Sequence, residues 1–335
     1  MRPMIGIDFG GTRIKAGVVE GATIVATDSV ETRGSPAEVL DAIAALAKKL
    51  APQPKSVGVA IPGECDDDGR CYRLPNVPGF EGVPIAAELS RRIGCPVGVE
   101  NDATTAALGE ALFGHGREHA SFVMVTLGTG IGGGVVLERR LHRGAHVFGG
   151  ALGHVPIDRS PAPPLCGCGL RGCVEAFAGT HALLARYRAA GGTANEIREI
   201  ATAAHGGEER ARHVFDEMGV ALGWMLTSVQ NVLDLDAVVF SGGISKSFDL
   251  IEPGLRRQLR ARAHAKPLGE IPLLVSALGD RAGIVVTGEV PDPADWLATS
   301  EICIDPVQAG AGMQNKLIEF MAMAKPVVAT TVANA

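Results

Sequence analysis

Residues 121–137 read Ser-Phe-Val-Met-Val-Thr-Leu-Gly-Thr-Gly-Ile-Gly-Gly-Gly-Val-Val-Leu. The β-branched run over 121–127 predicts a strand, and the run that starts at Val135 predicts a second strand. The glycines between them, 128–134, predict a tight turn. A dinucleotide-binding G-x-G-x-x-G turn would have to begin a helix, whereas this turn leads into a strand. The pattern therefore predicts a β-hairpin whose turn, with Thr129 and Gly130, can bring backbone N–H groups close to phosphate oxygens.

A hairpin of the same kind begins the chain. The alternation of apolar residues predicts strands over 4–8, 13–19 and 23–30. The candidate phosphate-binding residues at this turn are Asp8, Gly10, Gly11, Thr12 and Lys15. Glycine allows a close approach of the backbone to phosphate, Thr12 adds a hydroxyl donor, and Asp8 could hold Mg²⁺ through water. The alternative is a plain hairpin turn capped by an aspartate.

Two phosphate-binding hairpins in two halves of one chain could hold one ATP from either side. This arrangement is similar to the duplicated ribonuclease H-like α/β fold of sugar kinases, actin and Hsp70, with two domains around a cleft. The expected domains are a small one over 1–118, a larger one over 119–284 and an atypical extension over 285–335. A third glycine pair, Gly242-Gly243, follows a buried strand over 238–241, where an adenine ring could lie on exposed backbone. Helices are predicted over 35–50, 83–93, 103–113, 174–190, 194–204 and 208–232.

A short cluster of thiols follows a histidine. His154 is followed by Cys166, Cys168 and Cys173, which together form the ligand set of a closed tetrahedral zinc site. The alternative is a disulfide with one spare thiol. No secretory signal is recognised at the N-terminus, so we expect a reducing cytoplasm, where metal binding is favoured over a disulfide. The sequence therefore predicts structural Zn²⁺, while the scattered cysteines at 65, 71, 95 and 303 are interpreted as ordinary small buried residues.

A carboxylate lies at the boundary of a predicted strand and helix, in Glu100-Asn101-Asp102-Ala103. Phosphorylation of a hydroxyl requires a base to accept its proton, and Asp102 is the candidate. Asn101 could hydrogen-bond neighbouring hydroxyls. The alternative is structural, because Asn-Asp before a helix is also typical of an N-cap.

Composition limits the possible functions. The 335 residues are 46% hydrophobic and carry a net charge of −6. This balance argues against a nucleic-acid surface, which needs a basic stripe, and no apolar run reaches membrane-spanning length. We expect small-molecule partners, with no nucleic acid and no membrane.

Taken together, these motifs resemble those of the ROK family (repressors, open reading frames and kinases), whose enzymes phosphorylate hexoses with ATP. The matching segments are 7–12, 100–103, 127–134, 153–154, 166–175 and 241–243, and the resemblance spans about 4–284. It implies Asp102 as the general base, a zinc site of His154, Cys166, Cys168 and Cys173, and a homodimer. It also implies that Gly63, Asn101, His154 and Glu175 contact the sugar.

The resemblance leaves several functions open. The leading one is a glucokinase-like transfer from Mg²⁺-ATP to the 6-hydroxyl of glucose or a related hexose. The alternatives are an N-acetylglucosamine or N-acetylmannosamine kinase and a catalytically degenerate sugar-binding regulator, and polyphosphate is possible as a donor. Repressors of the family carry a helix-turn-helix before the first strand, and none is recognised here, so DNA binding is not expected.

Two features depart from the family pattern. Ala151 stands three residues before His154, where the family usually has a sugar-binding glutamate. Beyond Gly283 the expected final helix is replaced by a segment that resembles a fragment of a GT-B glycosyltransferase donor domain, with Glu319 at the position of a ribose-contacting glutamate. A short helix is expected over 302–306 and another over 311–323. The fragment is too short to build a transferase cleft, so no transferase activity is expected.

Overall fold

The structure is a computed structural model that describes residues 3–20, 23–276, 278, 303–305 and 327–329. The strands are β1 Met4–Phe9, β2 Arg13–Glu20, β3 Thr23–Glu31, β4 Ser56–Ile61, β5 Glu64–Cys65, β6 Cys71–Arg73, β7 Val97–Asn101, β8 Phe122–Leu127, β9 Ile131–Leu137, β10 Arg140–His142, β11 Ala237–Ser241, β12 Leu273–Val275, β13 Cys303–Asp305 and β14 Val327–Ala329. The helices are α1 Pro36–Leu50, α2 Ile85–Ile93, α3 Asp102–Phe113, α4 Glu175–Ala178, α5 Thr180–Ala189, α6 Ile197–His205, α7 Glu209–Leu233, α8 Phe248–Arg262 and α9 Lys266–Gly269.

The first sheet has the strand order β3-β2-β1-β4-β7. The first three strands are antiparallel neighbours, whereas β4 runs parallel to β1 and β7 runs parallel to β4. Helix α1 packs on this sheet through Leu40, Ile43 and Ala47, a spacing of three and four residues that places them on one face. The helix begins with a capping box, in which Ser35 is the N-cap and the Glu38 side chain bonds back to its backbone N–H. This sheet with α1, α2, the β5-β6 hairpin and the loops between them, which share one core, is called the first lobe.

The second sheet repeats this plan with the order β10-β9-β8-β11-β12. Strands β8, β9 and β10 are antiparallel, and β11 and β12 continue parallel to β8. The repeated order confirms the predicted duplication. The second sheet with the helices that pack on it is called the second lobe, and its core is built largely from the apolar faces of α7 and α8.

Helix α3 connects the two lobes. It begins directly after β7 of the first sheet, but its Ala107 packs with Phe122 and Val136 of the second sheet. This packing requires glycine in β9, because a Cβ on Gly134 would lie 2.4 Å from the Cβ of Ala107. The N-terminus of α3 therefore lies at the junction of the lobes. The predicted domain boundary near residue 118 stays a prediction.

Two predicted helices differ in the structure. The helix predicted over 174–190 is divided into α4 and α5, because extended Gly179 allows the Thr180 N–H to bond the carbonyls of Gly128 and Thr129. The helix predicted over 302–306 is wrong, since Cys303–Asp305 is a strand that pairs in parallel with Val327–Ala329. Its Ile-Cys-Ile run before a proline favours an extended chain.

Some elements have no clear sequence signal. Helix α8 contains Pro253, and a proline disfavours a helix interior, which explains why periodicity did not indicate this helix. The remaining expectations for 285–335, including Glu319 and the helix over 311–323, lie outside the described residues. Within the residues that the structure describes, no helix is both long enough and apolar enough to cross a membrane.

Candidate active site

The candidate base, Asp102, is the first residue of α3. Its side chain is accessible to solvent, and one carboxylate oxygen accepts the Ala103 N–H at 2.7 Å. The surrounding protein removes part of its hydration, which raises the pKa of Asp102 to about 6, and the negative charge of Asp8 adds to the rise. A carboxylate with this pKa is mostly ionised at neutral pH and is a stronger proton acceptor than an ordinary aspartate.

Asn101 has the structural role that an N-cap predicts. Its Oδ1 accepts the Thr104 N–H at 3.0 Å, and its Nδ2 donates to the Gly63 carbonyl at 2.9 Å. The second bond joins the end of β7 to the loop after β4, so two of the predicted sugar-contacting residues lie together beside Asp102. Gly63 is required there, because a Cβ would lie 2.1 Å from the Arg73 carbonyl oxygen. The Asn101 side chain also hydrogen-bonds the Asp102 carboxylate, which offsets part of the rise in the pKa of Asp102.

The first turn, residues 8–15, connects β1 and β2. Asp8 and Lys15 are opposite each other, with 3.6 Å between Oδ2 and Nζ. Gly10 bonds to Arg13 within the turn and accepts the Thr32 hydroxyl at 2.7 Å, while Thr12 is exposed. The electrostatic effect of Asp8 on Asp102 indicates that this turn lies near the candidate base. A carboxylate oxygen is a suitable Mg²⁺ ligand, so Asp8 fits the predicted role.

The second turn, residues 128–134, is held by the segment that carries the thiols. Glu175 Oε2 accepts the Ile131 N–H at 3.0 Å, and its Oε1 lies 3.4 Å from the Cys166 sulfur. A Cβ on Gly130 would lie 2.3 Å from Glu175 Oε2, so a side chain there would displace this carboxylate. On the other side of the turn, the Thr180 hydroxyl donates to the Gly128 carbonyl at 2.8 Å.

The predicted zinc ligands converge. The ligand atoms of His154, Cys166, Cys168 and Cys173 all lie within 4.8 Å of one another. The Cys166 sulfur is 3.8 Å from His154 Nδ1, and the sulfurs of Cys168 and Cys173 are 3.8 Å apart. Bonds of about 2.3 Å in a tetrahedron give ligand separations of about 3.8 Å, so these residues fit Zn²⁺. The three cysteines are not joined as disulfides. These four residues are called the zinc knot.

A cleft of about 900 Å³ separates the lobes beside the zinc knot. His154 and Glu175 line it from the second lobe, and Arg73 and Asn76 line it from the first. Because Nδ1 of His154 faces Cys166, its Nε2 is left for a ligand in the cleft. Sequence reasoning did not assign Arg73, whose guanidinium binds both oxygens of Glu64, at 2.9 and 3.1 Å. Its only sequence signal is its place beside the Pro-Asn-Val-Pro-Gly loop.

A second pocket lies on the far side of the second turn. Thr129 and Gly243, both predicted to bind the nucleotide, line it together. Thr129 also lines the cleft, so the second turn forms the boundary between the two cavities. Gly242 packs against the residue before the second turn, and a side chain is excluded there because its φ is 86° and an added Cβ would lie 2.4 Å from the Leu127 carbonyl oxygen. The polar side chains of this pocket that the sequence did not single out are Thr180, Asn195, Glu196, Arg198, Thr202, His205, Lys246 and Ser247.

The chain is similar to known sugar kinases. The family model described as "ROK family" matches residues 4–288. The chain belongs to the ROK family. It is 32% identical to a glucokinase of Streptomyces coelicolor over 86% of this chain and 98% of the relative. It is 34% identical to an N-acetyl-D-glucosamine kinase of Vibrio cholerae, over 83% and 96% of the two chains.

The ROK fold is confirmed by solved structures. A ROK family glucokinase from Streptomyces griseus, in complex with glucose and AMPPNP, superposes with a TM-score of 0.75 and is 31% identical. The match covers 85% of this chain and 98% of that one. The predicted two-domain fold of sugar kinases is therefore confirmed.

The departure at Ala151 lies at the edge of this ROK site. Ala151 is exposed and directly precedes the short 3-10 turn Leu152–His154, where its carbonyl accepts the His154 N–H. A methyl group cannot accept a hydrogen bond from a sugar hydroxyl. Ala151 therefore cannot make the sugar contact that the family resemblance predicts for a glutamate at this position.

Proposed function

We propose that the protein is an ATP-dependent hexose kinase that phosphorylates the 6-hydroxyl of glucose or a related hexose. The observation that carries the proposal is Asp102, an accessible carboxylate of raised pKa at the junction of the lobes. One turn of phosphate-binding type lies in each lobe. ROK glucokinases among the relatives support the same reaction.

Asp102 accepts the proton of the 6-hydroxyl while that oxygen forms a bond to the γ-phosphorus, and the bond from this phosphorus to the bridging oxygen of ADP breaks. The remaining hydroxyls are held by Asn101, His154 and Glu175, together with the backbone at Gly63. Fixing the sugar in this way lowers the entropic cost of bringing the hydroxyl to the phosphorus.

The triphosphate lies between the two turns in this proposal. Asp8, Gly10, Gly11, Thr12 and Lys15 hold it from the first lobe. Thr129 and Gly130 hold it from the second lobe, and the adenine lies against Gly242 and Gly243. Mg²⁺ held through Asp8 would neutralise phosphate charge during transfer, and Zn²⁺ would stiffen the segment that carries His154 and Glu175. A cytoplasmic location and a homodimer stay predictions.

The second candidate is an N-acetylhexosamine kinase. Two observations favour it: the relative from Vibrio cholerae, and Ala151, which leaves room where a larger substituent on the ring could lie. A catalytically degenerate sugar-binding regulator is the third candidate, and retention of Asp102 argues against it, because a binding protein does not need a base.

The test is ADP release from Mg²⁺-ATP with glucose, mannose, fructose, N-acetylglucosamine and N-acetylmannosamine. The control is Asp102→Asn, which keeps the shape of the side chain and removes its basicity. We expect turnover with one sugar and a loss of about 10²–10⁴-fold in kcat in the variant. Activity should fall as the pH drops through about 6, where Asp102 takes up a proton. Equal rates in both proteins would overturn the role of Asp102. If no sugar is phosphorylated with either ATP or polyphosphate as the donor, the sugar-binding regulator is favoured.

A further variant tests the departure at Ala151. Ala151→Glu restores a carboxylate at the edge of the sugar site, so it should lower KM for the true hexose by about tenfold or more. If KM changes for none of the sugars, Ala151 does not face the bound sugar.

A further inference from the structure

Arg143 of the second lobe contacts β7, the strand that ends one residue before the candidate base. Arg143 follows β10, and its Nε lies 2.7 Å from Oε2 of Glu100 in β7. Its Nη1 donates to Asp67 in the turn between β5 and β6. The Nε–H is buried and does not point at Oε2, so the contact with Glu100 is an ion pair without hydrogen-bond geometry. Only 19% of the Arg143 side chain and 21% of the Glu100 side chain are exposed.

Glu100 also bonds the backbone next to the candidate base. Its second oxygen, Oε1, accepts the backbone N–H of Asn101 at 2.8 Å. Asn101 is the N-cap of the helix that starts at Asp102. The carboxylate of Glu100 therefore has one oxygen against Arg143 and the other on the backbone that orients Asp102.

The backbone of Arg143 is part of the loop that leads to the zinc knot. Its carbonyl accepts the Gly149 N–H at 2.8 Å, which closes the loop five residues before His154. In the same loop, Phe148 contacts Tyr72 of the first lobe, with 5.5 Å between ring centroids. Arg143 thus contacts the segments that carry both predicted functional groups, the base at the start of α3 and the histidine in the second lobe.

We infer that Arg143 is a positioning residue for phosphoryl transfer, which fixes the Asp102 segment relative to the His154 loop through its ion pair with Glu100. A buried carboxylate needs a charged partner, so the two side chains hold a defined distance between the lobes. The kinetic part of this inference rests on the proposed kinase function. A base displaced by about 1 Å from a reacting hydroxyl can lower the rate by about a hundredfold.

The kinetic experiment compares Arg143→Gln, Arg143→Lys, Glu100→Gln and the double variant Arg143→Gln/Glu100→Gln. Arg140→Gln is the matched control, since Arg140 is exposed on the strand just before. We expect kcat to fall by about a hundredfold in Arg143→Gln with KM for ATP unchanged, and to recover in part in Arg143→Lys. The double variant should be no slower than Arg143→Gln, because both residues act through one contact.

Hydrogen exchange gives a readout that does not depend on turnover. Exchange at the Asn101, Ala103 and Thr104 amides should become faster in Arg143→Gln and Glu100→Gln and stay unchanged in Arg140→Gln. A purely structural role predicts a lower melting temperature with unchanged kcat per folded molecule, and this result would overturn the inference. Independent, additive losses in the double variant would also overturn it. If wild type turns over no sugar, the kinase proposal fails, and the exchange data still decide the role of Arg143.

Discussion

The first turn and the second turn each connect two antiparallel strands through glycines, but they are held in different ways. The first turn is held within its own sheet, mainly by the bonds from Thr32 to the carbonyls of Gly10 and Thr12, to which the partly exposed Asp8–Lys15 pair adds little. The second turn is held by residues that follow it by more than 40 positions, Glu175 and Thr180. The two turns therefore share a sequence pattern and not a source of stability.

The difference indicates that the second turn depends on the zinc knot. Glu175 is two residues after Cys173, and it joins the Ile131 N–H to the neighbourhood of the Cys166 sulfur. If the zinc knot loses its order, Glu175 should lose its position, and the second turn should lose the bond at the Ile131 N–H. The contacts described for the first turn come from its own sheet, so the first turn should change less.

Removal of zinc should produce the largest difference in behaviour between the two turns. Treatment with a chelator should lower activity by about 10–100-fold, because the segment that holds Glu175 loses its support. Hydrogen exchange at the Ile131 amide should become faster, while exchange at the Gly10 amide should not change. Metal analysis gives the zinc content in parallel, and Cys173→Ser is the matching variant. Equal changes at both turns would contradict the comparison.

The glycines themselves should differ in their tolerance of a side chain. Gly134→Ala places a methyl against Ala107 in a packed contact, so it should lower the free energy of unfolding by about 1–3 kcal/mol. Gly11→Ala should have a smaller effect, because its closest neighbour, Asn76, lies in an exposed loop that can shift. Urea unfolding measures both variants. A larger loss in Gly11→Ala would be contrary to this view.

The hydrogen bond from the Ile131 N–H to Glu175 should contribute more to ATP binding than the bond from Thr32 to Gly10 in the first turn. Glu175→Gln keeps an acceptor and removes its charge, which weakens the bond by about 1 kcal/mol and should raise KM for ATP several-fold. Thr32→Val removes a neutral hydroxyl bond to Gly10 and should change KM less. Steady-state kinetics with varied ATP test the pair, and the reverse order of effects would refute the proposed dependence.

The smallest effect is expected at the first turn. Lys15→Met removes the ion pair with Asp8, whose side chains are 48% and 31% exposed. Pairs with this degree of exposure contribute about 0–1 kcal/mol, so the melting temperature should change little and the difference should shrink in high salt. A large loss of stability in Lys15→Met would show that the first turn depends on this contact after all.

Much of the fold follows from local signals. The two hairpins, the capping box at Ser35 and the buried strand Ser56–Ile61 agree with the sequence patterns because alternation and capping act over a few residues. The break at Gly179 was not predicted, because its cause is the Thr180 bond to the second turn. Helix α8 was missed because Pro253 interrupts its pattern.

The sequence by itself determined the duplicated hairpins, the candidate zinc ligands and the candidate base, because each is encoded by residue types at short, fixed spacings. Only the tertiary structure decided what supports them. The contacts of Arg143 with Glu100, of Glu175 with Ile131 and of Gly134 with Ala107 join residues from separate parts of the chain. No local periodicity specifies such pairs, since their partners are chosen by how the two lobes pack.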